Sequence, residues 1–231
     1  MIIKTIKTRV FREDENLVDF MAGYFKKIPE KSVVVVTSKI VALSEGRTVS
    51  IKNKKDKEKI IKSESVFSLK TKYVWLTLKD GMIMANAGID ESNANGRPIL
   101  LPRDSFRAAD LIRRSLKKKY KIKNLGVLIT DSRTMPMRAG VTGVALGYAG
   151  FRGLRDYRGK GDIFGRKFVF SRSNIADGLS AAAVLAMGEG SERFPLALIE
   201  GAPIEFTEKI SQKELLISRK DDMYKVVLPI K

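Results

Sequence analysis

The chain of 231 residues is 44% apolar and 30% charged, ordinary for a folded globular protein and too apolar for a disordered one. It has no cysteine and no histidine, which excludes disulfides, thiolate nucleophiles, imidazole bases and every metal site built on thiolate or imidazole. A bound metal would have oxygen ligands and would be a hard cation such as Mg²⁺ or Mn²⁺. Lys and Arg total 44 against 26 Asp and Glu, a formal charge of +18.

In chain order, Met1 to Phe11 reads as a strand with β-branched residues on alternate positions. Asp14 is the expected cap of a helix through about Ile28, with Leu17, Phe20, Met21 and Phe25 on one face. Val33 to Ser38 is a continuous apolar run of strand length, the mark of a strand buried on both faces. Residues 52–64 read as a polar helix. Tyr73 to Leu78, then Lys79-Asp80-Gly81, then Met82 to Ala85 reads as a hairpin on an Asp-Gly turn. Asp104 is the expected cap of a helix over 105–120, with Phe106, Ala109, Ile112 and Leu116 facing the core. Gly126 to Thr130 is a second buried strand, and the five glycines of 139–153 suit close backbone approach in a sheet or around a ligand. A basic, Gly-rich loop covers 151–166. Ser173 or Asn174 can cap an Ala-rich helix ending at Met187-Gly188, and Leu196 to Ile199 and Tyr224 to Leu228 are the last expected strands. Strands and helices mix without a regular βαβ rhythm, so the expected class is α+β, a mixed sheet with packed helices in a single domain over 1–231. The amino terminus has no long apolar stretch, and the longest apolar run is Ala181 to Met187; a cytoplasmic protein away from membranes is the expectation.

The positive charge is concentrated. Residues 52–72 hold eight lysines and 113–123 hold seven Lys or Arg. Solvated helix faces, a field that draws in a polyanionic small substrate, and nucleic-acid binding all account for such runs, and the solvated faces come first. A basic nucleic-acid-binding protein is the rival function class, but neither run carries a recognised nucleic-acid motif.

Three carboxylates stand at polar, glycine-bearing turns: Asp90 in NAGIDESN, Asp131 after the strand 126–130, and Glu189 in MGEGSE. Each alone reads as a turn or capping residue. Together they would suit one or two Mg²⁺ ions and, through them, a nucleotide triphosphate. Ser38 and Lys39 follow the buried strand 33–37 and suit a phosphate contact, as does the nearby Ser44-Glu45-Gly46-Arg47, although the chain has neither GxxxxGK[ST] nor GxGxxG.

The segments SKIVALSEGR (38–47), NAGIDESN (86–93), LLP (100–102), TDSRTMPMRAGVTGVALGYAG (130–150), GDIFGR (161–166) and MGEGSERFP (187–195) occur in that order. Together they resemble the γ-glutamyl ligase family that adds glutamate to the coenzyme F420 precursor. The opening IKTRVF…ENLVDFM resembles the branch to which folate glutamylation is attributed. The resemblance implies a glutamate ligase-like fold, a homodimer, and a ligase using GTP (or ATP) with Mg²⁺ or Mn²⁺, L-glutamate and an acidic cofactor as acceptor. It places Asp90, Asp131, Ser132 and Glu189 on metal positions. Ser38, Lys39, Asn93 and the segment Met187 to Phe194, with Gly188, Gly190 and Ser191, fall on nucleotide positions. Lys39 and Arg138 would place positive charge on phosphate or acyl-phosphate oxygens. The family's Gly-Arg before the proline is replaced by Thr134 and Met135, with Arg133 one candidate substitute, and a family lysine is replaced by Leu43. These departures leave the metal carboxylates in place and open the acceptor to a folate, whose ring Met135 and Met137 could pack against if they do not simply fill core. They also leave open a nucleotide-binding homologue that has lost ligase activity.

Overall fold

The computed structural model describes residues 1–94 and 96–228. The chain divides into two compact units, one of Met1–Gly46 with Pro102–Glu214, the other of Arg47–Leu101 with the chain from Leu215 onward.

The first unit is built on β1 (Ile2–Ile6), α1 (Leu17–Tyr24), β2 (Ser32–Thr37) and α2 (Ser38–Ser44). The second unit interrupts it with α3 (Lys54–Ser63), β3 (Phe67–Lys70), β4 (Trp75–Lys79) and β5 (Met82–Ala85). The first unit resumes with α4 (Ser105–Tyr120), β6 (Leu125–Thr134), β7 (Val141–Ala149), β8 (Leu154–Asp156), β9 (Arg172–Asn174), α5 (Ile175–Met187) and β10 (Leu196–Glu200). Its sheet runs in the order β1-β10-β2-β6-β7. Only β2 and β6 are parallel, which makes the sheet mixed and the class α+β, as the sequence predicts. Val33 to Val36 are wholly buried, so the all-valine run does lie at the centre with both faces covered.

Two helices hold the antiparallel pair β6–β7 through glycines. A Cβ on Gly143 would collide with the Ser180 carbonyl of α5, and one on Gly147 with the backbone at Ser105 and Phe106 at the start of α4. The register slips between Ile129 and Thr130, so that Gly147 pairs with Ile129 while Ala145 pairs with Thr130. This irregularity turns the two glycines to opposite faces, α5 on one and α4 on the other.

Several elements differ from the sequence reading. The first strand stops at Ile6 because the Thr8 amide donates to the Arg193 carbonyl and the Arg9 amide to the Tyr24 hydroxyl, outside the sheet. Asn16, not Asp14, caps α1: its side chain accepts from the Asp19 amide, whereas Asp14 adopts φ 61°. The helix ends at Tyr24, and the Tyr120 hydroxyl donates to the freed Phe25 carbonyl. The expected strand over Tyr224 to Leu228 is instead a 3₁₀ turn, Met223–Val226, capped by the Asp222 carboxylate.

In the second unit β3, β4 and β5 form an antiparallel meander. Its β4–β5 turn has Asp80 and Gly81 both at positive φ, the geometry that favours Asp-Gly. Ile61 of α3, fully buried, packs with Ile89 and Leu100, flanked by Trp75.

Candidate active site

The carboxyl ends of the parallel pair β2–β6 gather most of the first unit's candidate residues. Thr37 pairs with Thr130, the last pair of β2 and β6, so Ser38 and Asp131 stand just past the end of that pairing. Crevices at such strand ends are where open mixed sheets bind ligands. Ser38 is buried and Lys39 half-buried on the first turn of α2. The segment leading into β10 lies at the same end, since the Thr37 amide donates to the Pro195 carbonyl.

On β6 the sequence changes from LGVLI to TDSRT, and burial falls with it. Ser132 pairs with Gly143, and its Oγ donates to Glu189 Oε2 at 3.0 Å. Glu189 reaches it because α5 packs on β7 and stops at the right point. The Asn174 and Asp177 side chains close the helix start, and Asp177 Oδ1 also accepts from the Ala145 amide of β7. Gly188 ends the helix at φ 81°, with its amide on the Val184 carbonyl. The Glu192 carboxylate then accepts from the Gly190 amide and lies against Gly188, which folds the exposed turn carrying Gly188, Glu189, Gly190 and Ser191. Glu192 and Asp177 are therefore positioning residues; the sequence reading contains Glu192 only within the segment Met187 to Phe194 and does not name Asp177, for which the Asn174-x-x-Asp177 capping pattern was the available signal.

Strand alternation separates residues that the sequence places together. Ser132 faces α5, so Asp131 and Arg133 lie on the opposite face of β6. Arg133 is 8% exposed there, opposite Thr142. Arg138 is exposed at the β6–β7 turn, where its amide donates to the Met135 carbonyl. Met135 is about half exposed and Met137 fully so, which removes core filling as their role.

Asp90 and Asn93 belong to the second unit. Asp90 pairs through its backbone with Ile99, and its Oδ1 accepts from the Ser92 amide and hydroxyl, both at 2.7 Å. Asn93 is exposed at φ 49°. Arg47 donates to the Leu101 carbonyl and to Glu64, which also takes Lys79. It is thus tied into the second unit's own structure rather than offered to a phosphate.

The donors present suit a hard cation. Ser132 Oγ and Glu189 Oε2, joined by a hydrogen bond of 3.0 Å, are oxygen donors of the kind a hard cation takes. Among the described residues, no three acidic side chains converge on one point. An open cavity of 580 Å³ lies at the other ends of β2 and β6, lined by Glu30, Lys31, Asn124 and Glu200 among others, and contains none of the residues above.

The comparisons with known proteins bear on this arrangement. The family model of the F420-0:γ-glutamyl ligases matches residues 5–201. A coenzyme F420:L-glutamate ligase of Methanococcus maripaludis (strain C7) is 31% identical over 92% of this chain and 92% of its own. Another from strain S2 of that species is 34% identical over 92% of this chain and 86% of its own. The protein of that name from Methanocaldococcus jannaschii is 28% identical over 92% and 91% of the two chains. None of the described helices is long and apolar enough to cross a membrane. With a mixed α+β sheet and a match spanning both units, this chain belongs to the F420-0:γ-glutamyl ligase family.

Proposed function

We propose that this protein is a nucleotide- and divalent-metal-dependent ligase that joins the amine of L-glutamate to a carboxylate of an acidic cofactor and works as a homodimer. The family match over residues 5–201 carries the reading. The names of the relatives favour the F420 precursor as acceptor. A reduced folate is the second reading, favoured by one observation: exposed, uncharged Met135 stands where the resemblance puts arginine. A folate carries carboxylates without the phosphodiester of the deazaflavin precursor, so it has less negative charge to match.

An amide does not form from a carboxylate and an amine in water without activation. In the proposed route an acceptor carboxylate oxygen attacks the γ-phosphorus of the nucleotide, and the bond from that phosphorus to the β-phosphate bridging oxygen breaks. The products are an acyl phosphate and a nucleoside diphosphate. The glutamate amine then attacks the acyl carbon, inorganic phosphate leaves, and the amine proton passes to phosphate or solvent. Lys39 and Arg138 would hold phosphate oxygens in line and offset charge that develops in the transfer. Ser132 and Glu189 would hold the divalent ion. The ion, once bound, neutralises phosphate charge. Lys39, at the end of β2, requires no proton transfer in this scheme; its role is electrostatic.

The test is direct. The protein is incubated with GTP or ATP, Mg²⁺ or Mn²⁺, glutamate, and either the F420 precursor or a reduced folate, and products are weighed by mass spectrometry. Expected is a glutamyl adduct that requires nucleotide and disappears with chelator. No adduct on either acceptor would reject the reading, and competition between the two acceptors decides which is preferred.

A further inference from the structure

The second unit carries a basic run whose charge is not offset within the chain. Residues 52–72 hold eight lysines against three acids. All three acids are engaged: Asp56 with Asn53 and the Lys52 amide, Glu58 with Lys62 at 2.6 Å, and Glu64 with Arg47 and Lys79. Lys57 reaches Glu91. Lys52, Lys54, Lys55, Lys59, Lys70 and Lys72 are exposed, and none of them forms an ion pair among the described residues.

Their placement works against the helix that holds most of them. Lys54 and Lys55 occupy the first turn of α3, where the helix dipole disfavours cations. Lys55 and Lys59 stand four residues apart, where like charges repel. Ile61 is buried and Ile60 packs on the same cluster, so α3 turns its isoleucines inward and offers lysine outward. These lysines break local rules without any gain inside the chain, and an anion outside it would supply the gain.

The β3–β4 hairpin extends the same surface and adds aromatic rings. Lys62 Nζ lies over the Trp75 ring, 5.4 Å from its centroid. Trp75 pairs with Lys70 across the hairpin, so Lys62, Trp75 and Lys70 are neighbours on one face. The Glu58 carboxyl registers this closeness: the hydrogen bond from Lys62 holds it below the ordinary carboxylate range, and the charge of Lys70 adds to that. Lys55, Lys59 and Lys62, at i, i+4 and i+7, run as one stripe along α3 into this corner. At the hairpin turn the Thr71 amide and hydroxyl both donate to the Val74 carbonyl. The closed turn leaves Tyr73 84% exposed at its tip, with Lys72 Nζ 5.1 Å from the ring centroid.

We propose that this face of the second unit binds single-stranded nucleic acid, with the lysine stripe following the phosphates and Tyr73 stacking on a base. A basic track beside an exposed ring is the combination that holds single strands without reading their sequence. Lysine is a point charge rather than a planar fork, so RNA and DNA strands share the chemistry. Two other anionic partners fit less well. A lipid surface takes up a helix that shows it an apolar face, which α3 keeps for its own core. A duplex offers phosphates, but its bases are already stacked and leave Tyr73 nothing to cover. The inference is independent of the ligase reading.

Fluorescence anisotropy of labelled oligouridylate and oligothymidylate, each about 20 nucleotides long, read between 0.05 and 0.5 M NaCl, tests it. Expected is micromolar binding at the lowest salt, with log K falling against log salt at a slope of about −3 to −4, the value for four to six phosphates. Lys55→Gln/Lys59→Gln/Lys70→Gln/Lys72→Gln should make that slope shallower by about 2 to 3 without lowering the melting temperature. Tyr73→Ala should weaken binding about fivefold to a hundredfold and leave the slope alone, an effect that charge by itself does not produce. Lys118→Gln/Lys119→Gln/Lys123→Gln, on and beyond α4, should bind within about twofold of wild type. If the quadruple variant loses stability, the Tyr73 variant and the α4 control carry the test. No binding of either strand at 0.05 M, binding that a folded quadruple variant keeps, a Tyr73→Ala protein equal to wild type, or tighter binding of a duplex of the same length would overturn the proposal. So would attachment to phosphatidylserine vesicles without binding of strands. Binding of either strand with these variant effects supports it, and the ratio between the two shows what the 2′-hydroxyl adds. The assay contains no ligase substrate, so its failure leaves the ligase reading untouched.

Discussion

At the level of single residues, the neighbours Asp131 and Ser132 separate by the face of β6 they occupy. Ser132 shares its face with Glu189, whereas Asp131 occupies the other side of β6 with Arg133. A surface hydrogen bond such as Ser132 to Glu189 contributes about 1 kcal/mol. Ser132→Ala should therefore leave melting almost unchanged and, on the proposed function, lower ligase turnover by about tenfold to a hundredfold, the usual cost of disturbing a partner at such a metal site. Asp131→Asn, nearly isosteric on a half-buried strand end, should keep the fold and abolish glutamyl transfer. Thermal melts paired with product formation check both. An Asp131→Asn protein that unfolds at the assay temperature would make that carboxylate structural, and a Ser132→Ala protein with full turnover would remove the hydroxyl from the site.

Among the elements, α5 matters most to the site because it carries Glu189 to β6. Its approach depends on Gly143, where any side chain meets the Ser180 carbonyl. Gly143→Ala should cost about 1–3 kcal/mol by overpacking and should also lower turnover by displacing Glu189, whereas Gly159→Ala, with open space around it, should cost its strain alone. Denaturant unfolding of the two variants separates these effects. The strap after β10 offers a second check. Glu208 receives Arg113 and Lys117, and the two cations hold its carboxyl down at about 2. Its contribution is then complete above the ordinary carboxylate range and is lost as pH falls from about 4.5 towards 2. Glu208 is two-thirds exposed, so Glu208→Gln should cost only about 1 kcal/mol at neutral pH, with the gap from wild type closing across that acid window. These elements also show what the sequence can reveal. The valine run of β2, the Asp-capped α4 and the Asp-Gly turn were legible because each depends on local chemistry. Strand β3 was hidden in a lysine-rich stretch, and valines at 226 and 227 imitate a strand that no neighbour pairs among the described residues. The candidate residues were legible as motifs. Their faces were not, because the slip between Ile129 and Thr130 that decides them is a tertiary event driven by the packing of α4 and α5 on opposite sides of β7.

Across the whole molecule, the charge of +18 has to be reconciled with a small-molecule ligase. The structure divides the basic run at 113–123 into two groups. Arg113 is buried and bonded to the Leu125 carbonyl and Glu208, Lys117 also meets Glu208, and Arg114 pairs with Asp110. Lys118, Lys119, Lys121 and Lys123 stand exposed on and beyond the outer face of α4. The first group belongs to the stability of the fold. The second can act only through the field it projects, which decays over about 8 Å at physiological salt. The proposed nucleotide, glutamate and either proposed acceptor are all anions, so such a field would speed their capture without entering the chemical step. Replacing Lys118, Lys119 and Lys123 with Gln should therefore lower kcat/KM severalfold at 20 mM salt, have little effect at 200 mM, and leave kcat unchanged at both. Sparing Lys117 keeps its bond to Glu208 and so keeps stability out of the comparison. Steady-state kinetics at the two salt concentrations supplies the measurement. A fall in kcat at saturation would place these lysines in the chemistry. A steep salt-dependent affinity for RNA that the triple substitution removes would instead assign the face to nucleic acid, with a slope that reports the number of phosphates neutralised.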